Sequence, residues 1–147
     1  IETPARVTFI DDTYNANPGS VTAAVATLKE LDPEGRKFMV LGDMLELGGQ
    51  ARQLHREVGG RIATAGLEGL FVTGAMADEV AAGAQEQGMS AQRLVAGDKS
   101  ELTQRLKGQL RPDDYVLIKG SRGMAMETVL NALLAWAQNP LTETEAP

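Results

Sequence analysis

Three short segments concentrate the residues able to do chemistry. The first is Asp11-Asp12-Thr13-Tyr14-Asn15-Ala16-Asn17-Pro18-Gly19-Ser20, which gathers two carboxylates, a phenol and two amides into one stretch. Carboxylates at a strand end can accept hydrogen bonds from ribose hydroxyls or hold a metal shell, and Asn can pair with an adenine edge or a phosphate. A plain strand-to-helix turn would need only one of these residues, Asn17, as the helix cap. The second segment is Gly42-Asp43-Met44-Leu45-Glu46-Leu47-Gly48-Gly49, followed by the only histidine, His55. Its glycines permit positive φ and close backbone approach. Met44, Leu45 and Leu47 are apolar for an exposed loop and point to a partner surface, either another domain or a ligand. His55 by itself reads more readily as an ordinary surface or half-buried helix residue than as a functional group. The third segment is Lys119-Gly120-Ser121-Arg122-Gly123-Met124-Ala125-Met126-Glu127. Ser121, Arg122 and the free N–H groups of a following helix would suit an anion, and Arg suits a carboxylate or phosphate in bidentate fashion. A solvated Lys/Arg pair is the simpler alternative, and Met124 and Met126 read as packing.

Each segment follows a short apolar run. The runs 6–10 (RVTFI), 37–41 (KFMVL), 69–72 (GLFV), 93–96 and 115–118 (YVLI) read as strands. Residues 18–31, 51–65, 77–87, 100–110 and 124–138 carry apolar residues at helical spacing, such as Val21, Ala24, Val25 and Leu28 in the first. Asn17 and Pro18 suit a cap and first turn. Five strands each followed by a helix predict right-handed crossovers. The fold expected is α/β: a Rossmann-like, open, mostly parallel sheet of about five strands, with helices on both faces. In such sheets ligands bind at the carboxyl ends of the strands. The connections 73–75 and 97–99 read as plain turns. Residues 1–138 form the expected domain, and 139–147, with two prolines, the expected flexible tail.

Composition narrows the function. A formal charge of -6 lacks the footprint of a nucleic-acid binder. There is no cysteine, hence no disulfide or thiolate metal site, and no metal-ligating set stands out. No apolar stretch approaches the roughly 18 residues of a membrane span. Ile1-Glu2-Thr3-Pro4 shows no signal-peptide pattern, and without a Met the chain reads as cut from something longer. There is no G-x-x-x-x-G-K-[ST] loop, no G-x-G-x-x-G after the first strand and no G-x-S-x-G elbow. Half of a cleft is what remains.

Together the segments IDDTYNANPGSVTAAV, VLGDMLELG with His55, and VLIKGSRGMAME resemble the C-terminal domain of the Mur ligases, over about Val7 to Leu134. That family has three domains, and its ATP phosphate loop lies in the central one. Within it the resemblance is to members that join D-alanyl-D-alanine to UDP-N-acetylmuramoyl-tripeptide in peptidoglycan synthesis. It implies that ATP phosphorylates the tripeptide carboxylate and that the dipeptide amine attacks the acyl phosphate. It implies ATP and Mg²⁺ as cofactors, bound mainly by the central domain, and the protein's own N-terminal and central domains as partners. By resemblance, Asp12, Tyr14, Asn15 and Asn17 would serve the nucleotide. Lys119, Ser121 and Arg122 would serve the dipeptide carboxylate. Asp43, Glu46 and His55 would lie toward the reacting centre. A cytoplasmic, monomeric enzyme is implied, inactive when reduced to this domain. The alternative is a phospho-acceptor receiver domain, which Asp11, Asp12 and Lys119 fit. Its phosphorylated Asp should end the third strand, where Val72-Thr73-Gly74 stands instead.

Overall fold

The computed structural model describes residues 1–141. Five strands and five helices alternate: β1 (Thr8–Asp12), α1 (Pro18–Glu30), β2 (Lys37–Leu41), α2 (Ala51–Ala63), β3 (Gly69–Val72), α3 (Ala77–Glu86), β4 (Leu94–Ala96), α4 (Lys99–Lys107), β5 (Tyr115–Lys119) and α5 (Glu127–Trp136). The strands pair in the order β1-β5-β2-β3-β4, every named pair parallel. The expected α/β architecture is therefore the one observed. Successive strand residues face opposite sides, and both sides are apolar. Met39, Leu41, Leu70, Val72 and Leu117 meet α1, α2 and α3. Phe9, Phe38, Val40, Phe71, Val116 and Ile118 meet α4 and α5. Covering both faces explains why the strands read as unbroken apolar runs.

Right-handed crossovers fix which helix covers which face. From β1 to β4 the chain advances one way across the sheet, then steps back over β3 and β2 to place β5 beside β1. The crossovers put α1 on one face and α4 on the other, and α5, which no strand follows, packs beside α4, so the helices after β1 and β5 lie on opposite faces. That divergence opens a crevice above the carboxyl ends of these two strands.

Local chemistry sets most boundaries. Asn17 caps α1: its side chain accepts from the Ser20 amide while the Ser20 hydroxyl accepts from the Asn17 amide, with Pro18 following. Asp98 caps α4 through the Glu101 amide. Two boundaries depart from the sequence pattern. β1 runs on through Asp11 and Asp12 because β5 supplies partners opposite them, Ile118 and Lys119. Its expected first residue, Arg6, turns instead at φ 60. The last helix begins at Glu127 rather than Met124, because Arg122–Met124 form a 3-10 turn and Ala125 is left-handed. Of the expected tail, Leu141 packs against the α5 side of the core; residues 142–147 lie outside the described residues.

The opposite end of the sheet is tied by one ion pair. Arg36, before β2, holds the buried Asp114, before β5, through Nε at 2.9 Å and Nη2 at 2.7 Å. The Arg111 amide also donates to Asp114, at 2.7 Å. Hydrogen bonding to Asp114 raises the Arg36 pKa above its ordinary value against the opposing effect of burial. A raised folded-state pKa stabilises fully below the unfolded value, so this contribution is constant except in strong alkali. Removing one partner of such a pair leaves the other unmatched. Asp114→Ala is expected to cost about 3 kcal/mol in urea denaturation. Arg6→Ala, which removes a pair with Asp113 that is 67% exposed on both sides, should cost under about 1 kcal/mol.

Candidate functional site

The last residue of β5 sets the site. Lys119 is only 2% exposed, and its Nζ donates to Asp12 Oδ2 and to the Asn15 carbonyl, both at 2.8 Å. An ammonium this deep needs acceptors, and the register that puts Lys119 opposite Asp12 provides the first. Ser121, also buried, ties two loops. Its hydroxyl accepts from the Leu45 amide at 2.8 Å and donates to the Ala16 carbonyl at 3.3 Å. Gly42 and Gly120 sit against Met126, which is fully buried; a Cβ at Gly42 would lie 2.8 Å from its sulfur. The packing reading of Met126 thus holds, and Met124 is partly buried against the same cluster.

The second loop is pinned from two directions. The buried carboxylate of Asp43 accepts from the Ala75 amide at 2.9 Å and the Met76 amide at 3.0 Å, at the start of α3. Gly74 makes room for it at φ 110, where a Cβ would collide with the Asp43 carboxylate. The connection 73–75, expected to be a plain turn, is in fact a receptor for Asp43. His55 is 1% exposed, with Nε2 facing the Met44 amide at 3.0 Å and Nδ1 facing the Ala51 carbonyl at 2.6 Å. An amide needs an acceptor, so Nε2 is unprotonated and Nδ1 carries the hydrogen. Met44 and Leu47 belong to the core or its edge, which corrects their expected place on a partner surface; Leu45 alone stays exposed. Apolar residue type alone suggests a surface patch here, because the bend that turns Met44 and Leu47 inward, with Glu46 at φ 64, is not visible in residue type.

What faces outward is a separate set. Asp11, Asp12, Thr13, Tyr14, Arg122 and Glu127 line a cleft of about 370 Å³ at the β1 and β5 ends. Tyr14 is 72% exposed, and the Arg122 guanidinium lies over its ring, 5.4 Å from the centroid. Asp11 accepts from the Thr13 amide and hydroxyl, closing the turn after the strand. The site therefore joins Asp12, Tyr14, Lys119 and Arg122 in one place. Asn15 contributes its carbonyl there, and Asn17 stands one step away as the α1 cap. Asp43 and His55 serve the neighbouring loop, and Glu46 is exposed on it. The helix amides expected beside Arg122 are displaced to Glu127, since the 3-10 turn bonds its own carbonyls. Glu127 was not singled out in the sequence, although its segment was; only the fold brings it to Asp11. Among the described residues no cluster of three or more His, Cys, Asp or Glu could hold a metal ion. A larger groove, about 780 Å³, lies between α1, α2 and α3 and takes no residue from these loops.

His55 gives a direct test of the loop ties. His55→Phe keeps a flat, somewhat larger ring but offers no acceptor, and should cost at least about 1–3 kcal/mol in denaturant unfolding by stranding the Met44 amide. His55→Ala should cost more, through the added cavity.

The strand order excludes the receiver alternative, whose doubly wound sheet runs 2-1-3-4-5 against 1-5-2-3-4 here. Comparison with known proteins points elsewhere. Residues 1–122 match the family described as Mur ligase, glutamate ligase domain. The chain is 33% identical over 142 residues to the UDP-N-acetylmuramoyl-tripeptide–D-alanyl-D-alanine ligase of Bacillus subtilis, covering 97% of this chain and 30% of that protein. It is 38% identical over 129 residues to the Escherichia coli ligase of the same name, covering 85% and 26%. It thus spans less than a third of the length of these relatives. Among solved structures, MurF ligase from Thermotoga maritima in complex with ADP matches with TM-score 0.77 and 27% identity, over 92% of this chain and 29% of that one. MurF from Acinetobacter baumannii matches with TM-score 0.78 and 33% identity, again over 92% and 29%. With residues 1–122 matched, the chain belongs to the Mur ligase, glutamate ligase domain family.

Proposed function

We propose that this chain is the C-terminal domain of an ATP-dependent, ADP-forming ligase that joins D-alanyl-D-alanine to UDP-N-acetylmuramoyl-tripeptide in peptidoglycan synthesis. The observation that carries the reading is the cleft where Asp12, Tyr14 and Arg122 converge, in a chain similar to ligases of that name over almost its whole length. The protein's own N-terminal and central domains complete the site. The reading carries with it a cytoplasmic, monomeric enzyme. No helix among the described residues is long and apolar enough to cross a membrane.

The cleft fits a nucleoside and a small carboxylate better than a whole nucleotide. Asp12 gives one carboxylate oxygen to Lys119 and retains the other for ribose hydroxyls. Tyr14 offers an exposed ring to a flat base. With Asp11, Asp12 and Glu127 in the lining, triphosphate charge is unwelcome here and belongs with the central domain. The MurF ligase from Thermotoga maritima was solved in complex with ADP, which supports a nucleotide in the whole enzyme. Mg²⁺, which would neutralise the phosphates during transfer, belongs with them in the central domain.

Arg122 is the exposed cation of the cleft, held by Tyr14 and paired with no carboxylate among the described residues. A guanidinium in that state can take the dipeptide carboxylate and orient its amine toward an activated acyl group. Ser121 orders the turn that carries Arg122. Asp43 and His55 act through the shape of the second loop, leaving Glu46 as its exposed acid nearest a reacting group.

Two measurements test this. The 147-residue chain should form no amide product with ATP, tripeptide and dipeptide, and calorimetry should show ATP binding weaker than micromolar; ligation by the chain alone would overturn the partial-site reading. In the full-length ligase, Arg122→Ala should raise the dipeptide KM at least about tenfold, roughly 1.4 kcal/mol, and leave the ATP KM nearly unchanged. Arg122→Lys should recover only part of the loss. The reverse split would exchange the roles of the two loops.

A further inference from the structure

We infer that Lys119 touches no substrate and is instead a positioning residue for the nucleoside, acting through Asp12. The inference rests on the proposed placement of the nucleoside at Asp12. It changes the expected role of Lys119, which the sequence had grouped with Ser121 and Arg122 on the dipeptide side.

Three observations carry it. Lys119 is 2% exposed, while its partner Asp12 is 39% exposed at the side chain. The ammonium lies inside and the carboxylate lies at the surface. The two Nζ hydrogen bonds, to Asp12 Oδ2 and the Asn15 carbonyl, grip the first loop at both ends of the Thr13-Tyr14 turn. The parallel register sets Lys119 opposite Asp12 on β1 and opposite Leu41 on β2, so its stem is enclosed by the sheet. A dipeptide carboxylate could reach the ammonium only by displacing Asp12.

The pair has a directional consequence. A free surface carboxylate rotates about two side-chain bonds, and holding it for two ribose hydroxyls costs conformational entropy on binding. Here Lys119 spends one oxygen and fixes the plane of the group before the ligand arrives. Gripping the Asn15 carbonyl fixes the backbone that carries the Tyr14 ring. The loss of Lys119 should therefore appear in nucleotide binding and leave the dipeptide alone.

The test is a double-mutant cycle in the full-length ligase that carries this domain, using Lys119→Met and Asp12→Asn, with the KM for ATP and for D-alanyl-D-alanine read separately. Lys119→Met should raise the ATP KM about tenfold, the size of a lost charge-assisted bond, with the dipeptide KM within about twofold. In the Asp12→Asn background Lys119→Met should add clearly less than it does alone, leaving only the part that acts through the Asn15 carbonyl. Lys119→Gln, which retains a neutral donor one bond shorter, should raise the ATP KM less, and serves alone if the Met variant does not fold. A rise in the dipeptide KM, or full additivity in the cycle, overturns the positioning role. A normal ATP KM in Asp12→Asn instead overturns the nucleoside placement itself.

Discussion

A strand in the middle of a parallel sheet cannot deliver polar side chains to water at its end unless its neighbours part. β5 is such a strand, closed in by β1 and β2, and Lys119 and Ser121 come at its end. Both are buried, and burying an ammonium or a hydroxyl is tolerated only with partners. Their partners come from beside the strand: Asp12 at the end of β1, Asn15 and Ala16 in the loop after it, and Leu45 after β2. Satisfying β5 is therefore the same event as fixing the two loops beside it. Asp43 extends the tie to the loop after β3, and His55 secures its near side. No buried side-chain nitrogen or oxygen among the described residues lacks a partner.

This sorts the chemically promising residues into two populations. Asp43, His55, Lys119 and Ser121 look inward and hold the loops in place. Asp12, Tyr14 and Arg122 look outward and form the edge that meets a ligand. An edge of this kind, rich in carboxylate, with one ring and one guanidinium, suits orientation better than phosphate chemistry. That suits the proposed function, in which partner domains bring the phosphate cradle.

Much of the architecture was legible because it depends on local rules. Unbroken runs such as KFMVL and YVLI identified strands buried on both faces, and Asn17-Pro18 marked a helix start. Where pairing overruled local preference, the pattern misled. Asp11 and Asp12 look like a strand's end, yet β5 extends the ladder through them. Ala125 gives no hint of its left-handed conformation, which delays the start of the last helix from Met124 to Glu127. The three loops were legible as a site, but the direction of each side chain was not. Lys119 and Arg122 are close in sequence and both basic; only the register distinguishes the one that is enclosed from the one that is free. His55 and Gly74 gained their roles from partners distant in sequence, Met44 and Asp43, which composition cannot pair.

The central claim is that the loops are set by their own buried ties before any ligand or partner domain arrives. Amide hydrogen exchange on the ligand-free chain measures this at the bonds concerned. Met44 and Leu45, bonded to His55 and Ser121, and Ala75 and Met76, bonded to Asp43, should exchange as slowly as amides within α2 and α3. Exchange of these four at the rate of unstructured peptide, slowed only when nucleotide is added, would contradict it.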